Sequence, residues 1–290
     1  YKSELHSYKE LPLKYAELRQ VHKHELSGIL NSLFRIRTFT QDDAHIFCMP
    51  EQIEDEIIKI IELIKKVYTD FGFTDYKIGL NTKPAKAIGS DEIWNISETA
   101  LKNALDKLNI KYELNIGDGA FYGPKIDFKV KDSLKREWQC GTIQLDFSMP
   151  ERFELEYIGR DNAKHRPVMI HRAILGSLER FIGMLIEHYA GALPFWLAPE
   201  QIRILPVSDN YNDYAYKVLN ILKNNGYRAN IDERNESLGK KIRDAQLEKI
   251  PYSLILGQKE LDSETINYRE YGKQEQISIA LDKFIEKLKI

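Results

Sequence analysis

The sequence changes its pattern at residues 190–199, where AGALPFWLAP is rich in alanine, proline and glycine and is typical of a linker. Before this segment, β-like runs follow one another and a long helix comes last. After it, strands alternate with helices. A chain of 290 residues is long enough for two domains, each with its own core. We therefore predict two domains, at residues 1–195 and 200–290.

The first domain has the pattern of an antiparallel sheet backed by helices. Apolar residues at helical spacing predict helices over 51–73, 95–109 and 177–189. Between them, runs bounded by glycine, aspartate or proline predict strands over 14–24, 34–47, 75–81, 125–131, 136–147, 153–158 and 167–174. Strands in series followed by a helix indicate an α+β domain.

The second domain alternates its elements. Strand-like IRILPV, YRANID and YSLILG are interleaved with helical patterns at 211–225 and 237–248, and a last helix is predicted over 277–289. This alternation is the pattern of βαβ units. We predict a small α/β domain with a largely parallel sheet.

Composition limits the class of protein. With 43% hydrophobic and 30% charged residues the chain is typical of a soluble globular protein, and a net charge of −2 gives no basic excess that would indicate nucleic-acid binding. Two cysteines without a CxxC pair suit a reducing compartment, and no apolar run approaches the ~20 residues of a membrane span. We expect a cytoplasmic protein with no membrane partner. Because the chain begins with tyrosine, we also expect a fragment.

Residues 37–48, RTFTQDDAHIFC, predict a strand with a mixed face. Alternate residues point to the same side of a strand. One side carries an aromatic ring, an amide, a carboxylate and an imidazole from Phe39, Gln41, Asp43 and His45, and extended backwards it includes Arg35. That mixture is neither a core face nor an ordinary solvated one, so we interpret it as a binding face. On these residues alone, a lone histidine is more often a hydrogen-bonded structural residue, and two adjacent aspartates are more often a solvated pair or a turn.

The segment RPVMIHRAILGSLERF (166–181) predicts a strand, a turn and a helix. Ser177 is a reasonable N-cap, and Arg180 falls in the first helical turn. An arginine beside the free N–H groups of a helix start suits a polyphosphate. An ordinary surface salt bridge is the alternative.

Six blocks of sequence resemble threonyl-tRNA synthetases: YKELPLKYAEL, VHKHELSG, RIRTFTQDDAHIFC, FYGPKIDF, WQCGTIQLDF and RPVMIHRAILGSLERFIG. They are long and ungapped, and they occur in the order of the family. The resemblance implies a class II aminoacyl-tRNA synthetase catalytic domain, from motif 2 onward, followed by an anticodon-binding domain. It also implies a threonine–tRNA ligase, which activates L-threonine with ATP to threonyl-adenylate and transfers it to tRNA(Thr).

The resemblance also implies roles for individual residues. Lys23, Arg35 and Arg180 would be catalytic through the phosphates of ATP; the ATP site as a whole would comprise Lys23, Glu25, Arg35, Phe39, Gln139, Thr142, Ser177 and Arg180. Phe39 would stack on adenine. Threonine would bind to Gln41, Asp43, Tyr122, Lys125 and Gln144. The family has an arginine where this chain has Lys23, which is its one departure from these motifs.

Metal ions are implied in the same way. His45 and His171 would be zinc ligands, with a third ligand, a cysteine, expected upstream of this chain, and Mg²⁺ would accompany ATP. The two histidines are too far apart in sequence to form a local metal motif. A metal site that demands a hydroxyl group would distinguish threonine from isosteric valine. No base is identifiable near Cys140, so we interpret that residue as packing.

In the second domain, the cluster Lys240, Lys241 and Arg243 is by itself an ordinary solvated face. DERNESLGKKIR and PYSLILGQKE resemble synthetase anticodon-binding domains, which implies RNA contact with Glu260 and Arg269 at the anticodon, and the intact enzyme would be a homodimer. Two alternatives stay open: a non-catalytic, synthetase-like module that binds tRNA or a regulator, and a zinc hydrolase. The hydrolase would need an acidic general base beside the two histidines.

Overall fold

The structure is a computed structural model that describes residues 1–289. It forms two compact units, Tyr1–Leu185 and Ile186–Ile290. The helices and strands that begin in the first unit are β1 (His6–Ser7), β2 (Leu13–His22), β3 (Thr38–Cys48), α1 (Ile53–Asp70), β4 (Tyr76–Asn81), α2 (Asp91–Lys107), β5 (Glu113–Asn115), β6 (Lys125–Lys131), β7 (Glu137–Asp146), α3 (Ser148–Arg152), β8 (Tyr157–Ile158), β9 (Lys164–His165), β10 (Val168–Ser177) and α4 (Leu178–His188).

A seven-stranded sheet in the order β2-β3-β10-β7-β6-β4-β5 forms the centre of the first unit. Neighbouring strands from β2 to β4 are antiparallel, and only β5 is parallel to its neighbour. A small sheet joins β1, β8 and β9. The predicted antiparallel sheet backed by helices is therefore confirmed.

Helix α1 covers one side of this sheet. Its isoleucines recur at helical spacing, and Ile57, Ile61 and Ile64 are completely buried. Acidic residues occupy its first turn, where they interact favourably with the helix dipole. The hydroxyl of Tyr68, near its other end, donates to the carbonyl of Ile174 in β10 at 2.9 Å. The helix therefore fills the core and is also hydrogen-bonded to β10.

Two predicted strands differ from the structure. The strand predicted over 34–47 begins only at Thr38, because residues 32–34 form a 3-10 turn, so Arg35 lies just outside it. The strand predicted over 153–158 is wrong except for Tyr157–Ile158, because the chain turns directly after α3, where Glu154 has a positive φ of 52°.

The second unit contains β11 (Ile202–Pro206), α5 (Asn212–Asn224), β12 (Ala229–Ile231), α6 (Leu238–Leu247), β13 (Tyr252–Leu256), α7 (Gln258–Ser263), β14 (Thr265–Glu270), β15 (Ile277–Ala280) and α8 (Leu281–Leu288). Its five-stranded sheet has the order β12-β11-β13-β14-β15. The first three strands are parallel, as predicted, but β14 and β15 are antiparallel additions. The sheet is therefore mixed.

The helix predicted over 277–289 is wrong in its first four residues. Ile277–Ala280 form β15, which pairs with β14, and the helix begins at Leu281. Strand β14 has no counterpart in the prediction. In both strands alternate residues enter the core, Ile266 and Tyr268 in β14 and Ile277 and Ile279 in β15. Runs this short fit a strand or a helical turn equally well.

Candidate functional site

Two rows of side chains cross five strands of the large sheet on one face. Residues directly opposite each other in neighbouring strands share a face. From β3 to β4, the first row is His45, His171, Gln144, Lys125 and Asn81, and the second is Asp43, Ala173, Thr142, Asp127 and Gly79. Segments far apart in sequence are thereby brought together on a single rigid floor.

A pocket of about 280 Å³ opens at the end of this floor. All eight residues predicted for the nucleotide line it, together with Gln41 from the threonine set; the complete lining is Lys23, Glu25, Phe34, Arg35, Ile36, Phe39, Gln41, Gln139, Cys140, Thr142, Ala173, Gly176, Ser177 and Arg180. Three guanidinium or ammonium groups and two aromatic rings suit an anionic ligand with a flat base.

Glu25 holds two of these cations together. Its side chain is almost fully buried; Oε1 lies 3.1 Å from Nζ of Lys23, and Oε2 accepts from Nε of Arg35 at 3.2 Å and lies 3.1 Å from its Nη2. The hydrogen bond from Lys23, with that from Arg35, lowers the pKa of Glu25 against the raising effect of burial. The carboxylate is ionised and fixes both cations at the pocket wall.

Arg180 is fixed by backbone carbonyls. Its Nε donates to Phe34 at 2.8 Å and its Nη1 to Gln139 at 3.0 Å, and its guanidinium lies 5.2 Å from the ring centre of Trp138. No carboxylate takes part in these contacts, so the positive charge is held by neutral groups and is available to an anion. Ser177 accepts from the N–H of Arg180 at 3.3 Å, as an N-cap does.

Asp127 connects the nucleotide and threonine sets. It is 3% exposed and accepts four hydrogen bonds: from Asn81 at 2.9 Å, Lys125 at 2.6 Å, Gln139 at 2.7 Å and Thr142 at 3.0 Å. Each oxygen of the carboxylate accepts two of these hydrogen bonds. Lys125 belongs to the predicted threonine set, whereas Gln139 and Thr142 belong to the nucleotide set.

The remaining threonine residues lie around the first row. The hydroxyl of Tyr122 donates to Gln144 at 3.0 Å, and its ring lies 5.9 Å from the imidazole of His171. Asp43 is 3.9 Å from Nη1 of Arg19. Tyr122 and His171 also line a second cavity of about 210 Å³.

His45 and His171 face each other across β3 and β10, with ring centres 4.8 Å apart. Burial and then the neighbouring His171 lower the pKa of His45, which favours the neutral imidazole that a metal requires. Asp146 lies 2.9 Å from Nε2 of His171, as a carboxylate that orients a ligating histidine does. Within residues 1–289, however, no third histidine, cysteine or carboxylate completes a metal group. Two imidazoles are donors of the kind that zinc takes, and a third donor is not found among the described residues.

In the second unit, the residues predicted for the anticodon are engaged locally. Glu260 lies in α7, is 7% exposed, and accepts from the N–H of Gly257 at 3.0 Å. Nε of Arg269, in β14, donates to the carbonyl of Lys273 at 2.7 Å. The prediction that Lys240, Lys241 and Arg243 form a solvated face is wrong for Lys241. That side chain is buried, and its Nζ donates to the carbonyl of Pro206.

The sequence analysis missed two buried acids, Asp127 and Asp146. Each lies between apolar residues in a strand, in IDF (126–128) and LDF (145–147). A carboxylate in such a position is buried only when it has partners, and that signal could have identified both. Cys140 is buried at 3% exposure, and burial raises its pKa to about 12. Such a thiol is a poor nucleophile.

Comparison with known proteins assigns the family. Residues 1–189 match the tRNA synthetase class II core domain (G, H, P, S and T), and residues 201–290 match the anticodon binding domain. The threonine–tRNA ligase of Finegoldia magna is 56% identical over 288 residues, which are 99% of this chain and 45% of that protein. The chain belongs to the threonyl-tRNA synthetase family.

Other threonyl-tRNA synthetases also match nearly the whole of this chain. The threonine–tRNA ligase of Fusobacterium nucleatum subsp. nucleatum is 57% identical over 98% of this chain and 46% of its own length. The crystal structure of the RNA binding domain of threonyl-tRNA synthetase from Cryptosporidium parvum Iowa II superimposes with a TM-score of 0.95 at 43% identity, over 99% of this chain and 72% of that one. The chain spans less than half the length of the curated threonyl-tRNA synthetases that it matches. No helix within residues 1–289 is long and apolar enough to cross a membrane.

Proposed function

We propose that this chain is the catalytic and anticodon-binding part of a threonine–tRNA ligase. The observation that carries the proposal is the convergence of Lys23, Arg35, Phe39 and Arg180 on one pocket, beside the floor that bears Gln41 and Asp43. Cations, a stacking ring and amino-acid-sized polar groups lie next to each other there. That arrangement suits a reaction between ATP and an amino acid.

The proposed first step forms threonyl-adenylate. The carboxylate of threonine attacks the α-phosphorus of ATP, and pyrophosphate leaves; Mg²⁺ would accompany ATP and neutralise charge on its phosphates. Such a reaction depends on positioning and on neutralisation of charge more than on an acid or base. Lys23 and Arg35 act at the α-phosphate side, Arg180 acts at the γ-phosphate, and Phe39 stacks on adenine. Glu25, Gln139, Thr142 and Ser177 complete the nucleotide site.

Threonine is held on the floor of the sheet. Asp43 pairs with its ammonium group, Gln41 and Gln144 supply amide contacts, and Tyr122 and Lys125 close the remaining sides. His45 and His171 would hold a zinc ion that, when bound, supplies a ligand position demanding a hydroxyl group. Valine would leave such a position unfilled, so these two histidines would carry the discrimination between the two amino acids.

Pyrophosphate exchange that depends on threonine tests this function in the full-length protein. We expect exchange with threonine, little with valine, and none in an Arg180→Ala variant. Binding of tRNA without any exchange would favour the non-catalytic alternative. Zinc-dependent hydrolysis of a peptide or ester without exchange would favour the hydrolase.

We further propose that the intact enzyme is a cytoplasmic homodimer, and the support for this is the resemblance alone.

We propose that the second unit binds the anticodon of tRNA(Thr), with Glu260 and Arg269 in contact with bases. Glu260→Ala in the full-length protein is expected to weaken aminoacylation of tRNA while leaving pyrophosphate exchange nearly intact. Alanine also removes the hydrogen bond to the N–H of Gly257, a capping interaction of about 1 kcal/mol. Glu260→Gln keeps an oxygen for that bond and is the matched control. Equal losses in both assays would mean that Glu260 supports the fold instead.

Zinc binding provides a separate prediction. Because the described residues supply only His45 and His171, residues 1–290 alone are expected to bind zinc weakly, since structural and catalytic zinc sites use three or four protein ligands. Metal analysis after dialysis against a mild chelator measures this directly. Retention of one zinc ion per chain would contradict the prediction, unless Asp43 or another group of this chain were found to complete the site.

A further inference from the structure

Strand β10 carries a three-residue bulge where it leaves β3. Ala173 pairs with Asp43, but the next pair is Ser177 with Gln41. Residues 174–176 therefore face the single residue Asp42 on β3. Bulges of this kind redirect a strand and the side chains that follow it. Here the bulge immediately precedes Ser177 and Arg180, which line the nucleotide pocket.

The carboxylate of Asp42 replaces the missing backbone partners of β10. It accepts from the N–H of Ile174 at 2.8 Å, of Leu175 at 3.1 Å and of Gly176 at 2.9 Å. Arg172 lies 3.8 Å away. Burial raises the pKa of Asp42 and these N–H groups oppose that effect. Three converging N–H groups form an anion-binding nest, which here holds a side chain of the protein itself.

Glu179 does the same for the opposite strand. Its two carboxylate oxygens lie 2.9 Å and 3.0 Å from the N–H of Thr40 in β3, and its Oε2 also accepts from the hydroxyl of Ser177 at 3.1 Å. Each strand thus donates its backbone N–H groups to a carboxylate of the other strand or its following helix. Two carboxylates stand where ladder hydrogen bonds would otherwise join β3 to β10.

Glycine is required in the bulge, and Tyr68 contacts it. Gly176 has a φ of +72°, and a Cβ atom there would lie 2.7 Å from the carbonyl oxygen of Cys140. The hydroxyl of Tyr68 in α1 donates to the carbonyl of Ile174 at 2.9 Å. The bulge is therefore held by Tyr68 and by the two carboxylates, Asp42 and Glu179.

We infer that Asp42 and Glu179 are positioning residues for the nucleotide side of the site. They keep β3 and β10 apart at the bulge. This separation determines where Ser177 and Arg180 lie in the nucleotide pocket. The inference rests on the proposed adenylate-forming function. Asp42 therefore has a different role from its sequence neighbours Gln41 and Asp43, which face threonine.

Steady-state exchange kinetics in the full-length protein test the inference. For Asp42→Asn we expect the KM for ATP to rise by about 10-fold or more, because an amide N–H would face three backbone donors. The KM for threonine should change by less than about two-fold, since Gln41 and Asp43 keep their strand. Glu179→Gln should have the same selectivity. The double variant should be little worse than the more severe single variant, since both act on one bulge.

Glu56→Gln is the matched control, because Glu56 is a buried acid that pairs with Lys14 and Lys59 outside the pocket. It should lower thermal stability without changing either KM. Equal rises in the KM values for ATP and threonine, or no change in either for both variants, would overturn the inference. If Asp42→Asn does not fold, Glu179→Gln decides by the same criterion.

Equilibrium binding of ATP is measured in parallel. Loss of ATP affinity in the variants, with a parent that does not activate threonine, would support the role of the bulge and refute the function instead.

Discussion

Replacement of Asp127 by asparagine is expected to slow adenylate formation by about 100-fold, since displacement of reacting groups by about 1 Å has effects of that size. Asp127 accepts from Lys125, Gln139, Thr142 and Asn81 at once. An asparagine keeps one acceptor oxygen and turns an N–H group towards donors. Both halves of the site should be affected, so the KM values for ATP and for threonine should rise together.

Single-turnover adenylation in the full-length protein measures this effect. Breaking the buried pair with Lys125 is also expected to reduce the free energy of unfolding by about 3 kcal/mol. Glu56→Gln again controls for stability, because it weakens the pairing of a buried carboxylate with half-exposed lysines outside the pocket lining. An Asp127→Asn variant with a normal adenylation rate and only a lower melting temperature would show that the residue serves the fold alone.

Replacement of Lys23 by arginine is expected to speed adenylate formation by roughly 10- to 150-fold, which corresponds to one aligned charge-assisted hydrogen bond of roughly 1.5–3 kcal/mol. Arginine can hold an α-phosphate oxygen and a carboxylate oxygen simultaneously, whereas lysine is a point charge with rotating donors. Glu25 already lies 3.1 Å from Nζ of Lys23 and would orient a guanidinium in the same way. Threonine binding should change less.

Lys14→Arg is the matched control, because Lys14 pairs with Glu56 and lies outside the pocket lining. Single-turnover adenylation rates of the three proteins decide the question. A Lys23→Arg variant no faster than its parent would mean that neighbouring groups such as His24 have adapted to lysine, and that the bidentate argument does not apply here.

Much of the site followed from local sequence pattern. The alternation in TFTQDDAHIFC predicted one face bearing Phe39, Gln41, Asp43 and His45, and the pairing of β3 with β10 places Asp43 and His45 in consecutive rows across the sheet. The segment after Gly176 was predicted as a capped helix start, and Ser177 caps Arg180. Periodicity and capping are properties of neighbouring residues, so a single segment is sufficient to predict them.

The supports of the site were not predicted, because they depend on pairing between distant segments. Asp42 looked like half of a solvated pair, and only the bulge in β10 gives it three N–H partners. Asp127 gains its role when β6 pairs with β7 and β4. The last two strands of the second unit were missed for a different reason. Residues 265–270 and 277–280 are too short for period to separate strand from helix.

One strand carries an aromatic ring, an amide, a carboxylate and an imidazole on one face, and this limits how the proposed site can change in related sequences. Insertion or deletion of one residue between Phe39 and Gln41 would turn every later side chain to the opposite face. Asp42 would then point into the site and Asp43 into the bulge. Such a change removes several functions at once, whereas a substitution alters one. New amino-acid specificity on this strand is therefore expected to arise by replacement of side chains at fixed spacing, and length variation among descendants should be confined to the segments outside it.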